Sequence, residues 1–321
     1  MKMYETRWMK TSIKPSQLDF LRVANRRKLL QTSSEESLYR SLEMGSEGEE
    51  YVVEMLERYG QKHWLVVRNL WMDCQGIYES DIVLLTANRP YIFEVKNYNG
   101  LFEYKNNRCL MNGTLMRDNC IQQTEKALFN LQDICAKVDR SLIAKGALIL
   151  AGEHNEVSME SKVYDIEVKV RSQLRHYIQE IVRLEETEYY NTYDIRRLLD
   201  AFEKRERDNP FGPHKSYTPQ EVLRGKKGVY CKQCGTYEVK ASRKYITCKN
   251  NHQEIRIEAI LRMIHEFGLL TFDYDFMKQS DLRMYLDNQV SKGYLIKILN
   301  QHFIIVNNGK YTTYVNKKAQ F

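Results

Sequence analysis

Val52, Val53, Leu56 and Tyr59 recur at helical spacing behind Ser41 and Gly45, while Glu49, Glu50, Glu54 and Glu57 fill the other faces. That pattern predicts an amphipathic helix over residues 46–58. Residues 1–40 are polar, charged and helix-leaning, and read as a helical extension. Residues 64–70 predict a strand. The short apolar runs 81–85 (Asp-Ile-Val-Leu-Leu) and 91–95 (Tyr-Ile-Phe-Glu-Val) are joined by Thr86, Ala87, Asn88, Arg89 and Pro90, the turn residues of a hairpin. After Asn119, the series Ile121, Thr124, Leu128, Leu131 and Ile134 predicts a second helix, Ala147 to Leu150 a buried strand, and 171–182 and 192–206 two more helices. This order of strands and helices indicates an α/β fold, with a mixed sheet flanked by helices.

Three prolines fall between Asp208 and Pro219, a density neither helix nor strand tolerates, so 207–219 is expected to be a linker. Beyond it the expected modules are a small Cys/His module over 220–255 and a domain over 256–321. The pattern predicts helices at 253–267, at 280–288 with Ser280 as N-cap, and at 290–300. A strand at 303–306, a turn at Asn307-Asn308-Gly309 and a strand at 310–315 complete the order of a winged helix.

The chain has 321 residues, 43% of them hydrophobic, which suits about two cored domains and excludes wholesale disorder. No stretch approaches the length of an apolar spanning helix, so a cytoplasmic protein with no membrane partner is expected. The net charge of +7 is too small to name a partner. Seven cysteines, three of them close together, suggest a metal rather than a disulfide framework.

Candidate chemistry concentrates at Asp81 and at Glu94-Val95-Lys96. On a strand Glu94 and Lys96 project to one face, and the hairpin turn sets Asp81 almost opposite Glu94. Two carboxylates and an ammonium then converge, and such hard oxygen ligands suit Mg²⁺ or Mn²⁺. Lys96 would orient or deprotonate an attacking water, or offset charge on a phosphate. The bare spacing also describes a solvated charge pair on a half-buried sheet.

Cys231-x-x-Cys234 and Cys248-x-x-x-His252 offer three thiolates and an imidazole, a closed set for structural Zn²⁺. Cys74, Cys109, Cys120 and Cys135 lack such spacing and read as core or surface thiols. Lys226, Lys227, Lys232, Arg243 and Lys244, interleaved with tyrosines, are candidate nucleic-acid contacts, and Lys292 and Lys297 are candidates on the 290–300 helix, with Asn307, Asn308 and Lys310 at the wing tip. A solvated zinc-module surface and a protein-binding winged helix are the alternatives.

Gly45-x-x-Gly48-Glu49 opening a helix, Gly76 before Asp81-Ile-Val-Leu-Leu, the segment Glu94-Val-Lys-Asn-Tyr-Asn-Gly100, and Asn119-x-x-x-Gln123 together resemble the nuclease-related domain (NERD) family, over residues 41–152. That family belongs to the wider PD-(D/E)xK restriction-endonuclease-like superfamily. The resemblance implies a nuclease domain over 41–206 that hydrolyses DNA with Mg²⁺. It assigns the metal-binding acids to Asp81 and Glu94, the catalytic lysine to Lys96, the first-helix acid to Glu49 and the later helix glutamine to Gln123. Cys120 stands where the family commonly has Pro, which removes preorganisation from a helix start but no ligand. An RNA substrate, a catalytically silent DNA-binding scaffold and a homodimer remain open.

Overall fold

The computed structural model describes residues 16–74, 76–160, 163, 165–188, 192–307 and 312–316. The described residues form two compact units, one of residues 41–208 and one combining 16–40 with 209–316. Two helices come first in the chain, α1 (Gln17–Arg26) and α2 (Ser33–Tyr59). The second is far longer than the apolar stripe over 46–58 predicts, because a capping box starts it early: Thr32 Oγ1 accepts the Glu35 N–H at 3.2 Å and Glu35 accepts the Thr32 N–H at 3.2 Å.

The first unit contains β1 (Leu65–Asp73), β2 (Ile77–Leu85), β3 (Pro90–Lys96), β4 (Gly100–Lys105), β5 (Arg108–Met111), β6 (Thr114–Leu115), α3 (Cys120–Val138), β7 (Lys145–Leu150), β8 (Asn155–Met159), β9 (Ile166–Val170), α4 (Leu174–Thr187) and α5 (Ile195–Glu203). Its main sheet has the order β1-β2-β3-β7-β9, antiparallel across β1, β2 and β3 and parallel from β3 through β9. A smaller sheet, β6-β5-β4-β8, follows the site-bearing strand. Both faces of the main sheet are covered. Val52, Val53 and Leu56 of α2 and Leu174, Ile178 and Ile181 of α4 pack on Ile82, Leu84, Phe93 and Val95. On the other face Ala127, Leu131 and Ile134 of α3 and Leu198 and Phe202 of α5 meet Val83, Leu85 and Ile92. Alternate residues of one strand thus serve two cores, which is why β2 and β3 read as continuous apolar runs.

The turn between β2 and β3 is locked at several points. Thr86 Oγ1 donates to Asn88 Oδ1 (2.9 Å) and accepts from the Arg89 N–H (3.2 Å), and the Thr86 N–H reaches the Arg89 carbonyl (3.2 Å). From α4, the buried Glu185 carboxylate accepts the Ala87 N–H, the Trp64 Nε1–H at 2.8 Å, and pairs with His63 Nε2 at 3.0 Å.

The second unit holds α1, the start of α2, and then α6 (Pro219–Val222), β10 (Val239–Ala241), β11 (Tyr245–Cys248), β12 (Gln253–Ile255), α7 (Arg256–Leu270), β13 (Phe276–Lys278), α8 (Gln279–Tyr285), α9 (Lys292–His302), β14 (Ile305–Asn307) and β15 (Thr313–Val315). Residues 253–255 are a strand, not the first turn of the helix expected there, because they complete the antiparallel sheet β10-β11-β12. The last sheet runs β13-β15-β14. The helix expected from Ser280 starts at Gln279 after Lys278, and α9 begins at Lys292 rather than 290. Residues 16–40 pack within this unit: Arg27 is fully buried, donating to the carbonyls of Lys226 (3.2 Å) and Gly228 (2.7 Å) and to Glu266 (3.2 Å). The expected turn residues Asn308, Gly309 and Lys310, and residues 1–15 of the expected extension, lie outside the described residues.

Removing the Glu185 carboxylate strands three donors, one of them, the Trp64 Nε1–H, inside the core. Glu185→Ala is therefore expected to lower unfolding free energy by about 2–4 kcal/mol and Glu185→Gln by less, as measured by urea titration.

Candidate functional site

The pairing of β2 with β3 runs from Leu85↔Pro90 to Ile82↔Phe93 and stops there. One step further, where Asp81 would pair with Glu94, the strands part: residues 77–80 continue only against β1, while Glu94 and Lys96 continue against Leu148 and Leu150 of β7. The Asp81 carboxylate bridges the start of the gap, its Oδ2 accepting the Val95 N–H at 2.7 Å. On β1 the pairs Arg68↔Ile82 and Leu70↔Ser80 flank Asn69, whose φ of 49° places a kink beside Asp81. Asparagine is among the few side chains that adopt that region readily.

Glu94 is buried (7% exposed), and Lys96 Nζ lies 2.8 Å from its Oε1. Glu49 arrives from α2, and Gly48 makes that approach feasible: a Cβ there would meet the Asn97 Cβ at 2.8 Å. Asn97 in turn donates from Nδ2 to the Met44 carbonyl at 2.7 Å, tying the end of β3 to α2. Arg68 faces Glu49 at 3.8 Å and Glu50 at 2.8 Å.

Burial, reinforced by the charge of Glu94, holds the Asp81 carboxyl well above the usual range, against the opposing pull of Lys96 and the Val95 N–H. Burial also raises Glu49, with Arg68 opposing and Glu94 assisting. Glu79, two residues before Asp81 on β2, is exposed along most of its length, yet desolvation of its carboxyl and then Glu49 and Glu94 push it up to about 7. Burial works to lower the pKa of Lys96, but Glu94 and Asp81 prevail and keep it protonated. Carboxylates thus outnumber the nearby cations, and the oxygen donors of Asp81 and Glu94 fit a hard divalent ion.

Sequence reasoning missed Glu79 and Arg68. The spacing Glu79-x-Asp81 was the available signal, since residues two apart on a regular strand share a face. Gln123 is exposed on the first turn of α3, behind the N-cap Asn119, and its side chain makes no hydrogen bond or ion pair with the acidic group among the described residues.

The ligating atoms of Cys231, Cys234, Cys248 and His252 all lie within 4.8 Å of one another. Cys234 Sγ and Cys248 Sγ are 3.8 Å apart, and Cys231 Sγ is 3.6 Å from His252 Nδ1. A tetrahedral ion with bonds of about 2.3 Å to sulfur and about 2.0 Å to nitrogen has edges of about 3.8 and 3.6 Å, so the set is compatible with zinc. Two tight turns present the ligands: Gly235, with φ 69°, donates to the Cys231 carbonyl (2.9 Å), and Asn251, with φ 62°, donates to the Cys248 carbonyl (2.9 Å).

Lys226, Lys227, Lys232, Arg243, Lys244, Lys292 and Lys297 are all exposed, and the Lys226 ammonium lies 4.1 Å from the Tyr237 ring centre. Among the described residues no helix is long and apolar enough to cross a membrane.

Residues 44–150 match the model of the NERD family, the nuclease-related domain. No curated protein and no solved structure matches the chain. The matched stretch includes Glu49, Glu79, Asp81, Glu94, Lys96 and Gln123, and ends on the last residue of β7.

The raised pKa of Asp81 means the native state resists its ionisation, so metal-free stability falls as pH climbs from the unfolded value of about 3.9 through the higher native one. Asp81→Asn keeps an acceptor for the Val95 N–H and removes the charge. In chelator it is expected to match wild type near pH 4 and to be the more stable protein near pH 8, as read by thermal melting at both pH values.

Proposed function

We propose that the chain is a metal-dependent nuclease that hydrolyses phosphodiester bonds of DNA. The observation that carries this reading is the meeting of Asp81, Glu94, Lys96 and Glu49 where β2 and β3 part, inside the stretch that matches a nuclease-related domain. Asp81 and Glu94 would hold Mg²⁺ or Mn²⁺, which supplies charge stabilisation and a more acidic water at the scissile phosphate. Lys96, kept protonated by its two acidic neighbours, acts as a fixed cation toward a phosphate oxygen rather than as a base. The Val95 N–H fixes the orientation of the Asp81 carboxylate, and Arg68 holds Glu49 at the edge of the group.

The second unit is assigned the task of holding the nucleic acid. Its order α7, β13, α8, α9, β14, β15, with the sheet order β13-β15-β14, supports a winged helix in which α9 exposes Lys292 and Lys297. The Cys231, Cys234, Cys248 and His252 cluster is assigned to structural Zn²⁺, because four protein ligands leave no open position for chemistry.

Cleavage of single- and double-stranded DNA and of RNA, with Mg²⁺ or Mn²⁺, tests the activity. Wild type is expected to cut DNA, and Asp81→Ala, Glu94→Ala and Lys96→Ala to be slower by about 10²-fold or more. Equal rates in all four proteins would refute the reading, and preferential RNA cleavage would move the substrate.

The zinc assignment has its own check. Metal analysis of the purified chain should find one zinc per molecule, and Cys248→Ser or His252→Ala should lose it together with the native melting of the second unit.

A further inference from the structure

Three of the seven cysteines belong to the Cys/His cluster, and two others meet in the first unit. Cys109 on β5 is 2% exposed, and Cys120, the first residue of α3, is fully buried. Their sulfurs are 3.6 Å apart, with the Cys120 thiol directed at the Cys109 sulfur. The Cys109 thiol also donates to the Oδ1 of Asn119, the N-cap of α3, at 3.1 Å, and the first backbone N–H groups of α3 lower its pKa. A sulfur at the open end of a helix is the position in which a thiolate is best stabilised.

We propose that Cys109 and Cys120 are a reversible oxidation site, closed to a disulfide by hydrogen peroxide, that ties β5 to the first turn of α3. The Cys109 thiolate sulfur attacks one peroxide oxygen, the O–O bond breaks, and hydroxide leaves and is protonated to water. Cys109 is then a sulfenic acid. The Cys120 sulfur attacks the Cys109 sulfur, the S–O bond breaks, and the departing hydroxide takes the Cys120 proton as a second water. Two thiols are oxidised and one peroxide is reduced, with no other reactant.

The two thiols are differentiated as these steps require. The hydrogen bond from Cys120, and then the helix N–H groups, hold Cys109 down to about 7 against the effect of burial, whereas Cys120 is pushed up. Closure to a bond of about 2.05 Å asks the sulfurs to approach by about 1.5 Å, which side-chain rotation and a small shift of the helix start together provide. Burial also selects the oxidant, since peroxide is close to water in size and glutathione disulfide is not. Cys135, fully buried with its thiol pushed up to about 12, is not expected to react.

The bond would form beside the acidic group. Cys120 packs with Leu148 and Leu150, the β7 partners of Glu94 and Lys96, and Gln123 lies on the same helix turn. The inference rests on the sulfur geometry and stands whether or not the acidic group cleaves nucleic acid.

Trypsin cuts after Arg108, Arg117 and Lys126, which puts Cys109 and Cys120 in separate peptides, 109–117 and 118–126. The full reduced chain is treated with hydrogen peroxide, alkylated, digested without reductant and mapped by mass spectrometry. The expected result is a linked pair of these two peptides, lost on reduction with dithiothreitol. Cys109→Ser should abolish it. Cys120→Ser should leave a dimedone-reactive sulfenic acid on Cys109. Recovery of both peptides alkylated after peroxide, or a Cys109 link to any other cysteine, would overturn the proposal. So would a glutathione adduct on Cys109 after treatment with oxidised glutathione. The wild-type map decides the matter if either variant fails to fold.

Discussion

The register of the β2–β3 hairpin is the constraint on which the site depends. Side chains alternate faces along a strand, so a one-residue slip would turn Asp81, Glu94 and Lys96 toward α2 and α4 and expel Ile82, Phe93 and Val95 from the core. The Thr86–Arg89 turn fixes the count, and Glu185 fixes the turn by accepting the Ala87 N–H from a neighbouring helix. The turn lies at one end of the hairpin and the acids at the other. Four paired positions, Leu85↔Pro90 to Ile82↔Phe93, carry the register between them before the strands separate.

Separation of the strands is as necessary as their pairing. Had the ladder continued, the Val95 N–H would have been spent on a backbone carbonyl and Asp81 would have stood on a closed sheet. Instead the Asp81 side chain takes that N–H, and the gap admits Glu49 from a helix that Gly48 allows to come close. The arrangement is electrostatically uncomfortable without a cation, as the raised values of Asp81, Glu49 and Glu79 indicate. Two apolar faces on one sheet supply the stability that tolerates it.

What was legible in the sequence follows from these same physical facts. The hairpin could be read because two apolar runs bracket a short polar turn, and that reading placed Asp81 opposite Glu94. The strands β4, β5, β6 and β8 were invisible, being short, partly exposed and without clean alternation. Gln253-Glu254-Ile255 reads as helix because it joins the helical spacing of Ile257, Ile260 and Ile264 without a breaker. Its strand geometry comes instead from the sheet, where Ile246↔Glu254 and Thr247↔Gln253 pair just after the Cys248–His252 turn. Tertiary pairing there overrode local pattern. Gln123 was carried by family resemblance alone, and its exposed position on α3 adds nothing from geometry.

The residue that ties down positions 16–40 is Arg27, a cation that no hydrophobic scale would place in a core. Its guanidinium is enclosed by carbonyls on either side of Lys227, by Glu266 of α7 and by the Tyr285 ring at 4.2 Å. Glu266 also accepts from Tyr230, the residue before Cys231, so a chain of buried polar contacts runs from the end of α1 to the first cysteine of the Cys/His cluster. Such a network stabilises only when its partners are satisfied, and a cation left in the cavity without Glu266 would cost more than an apolar core of the same shape. The residues before Cys231 are therefore positioned by the end of α1, some two hundred residues earlier in the chain.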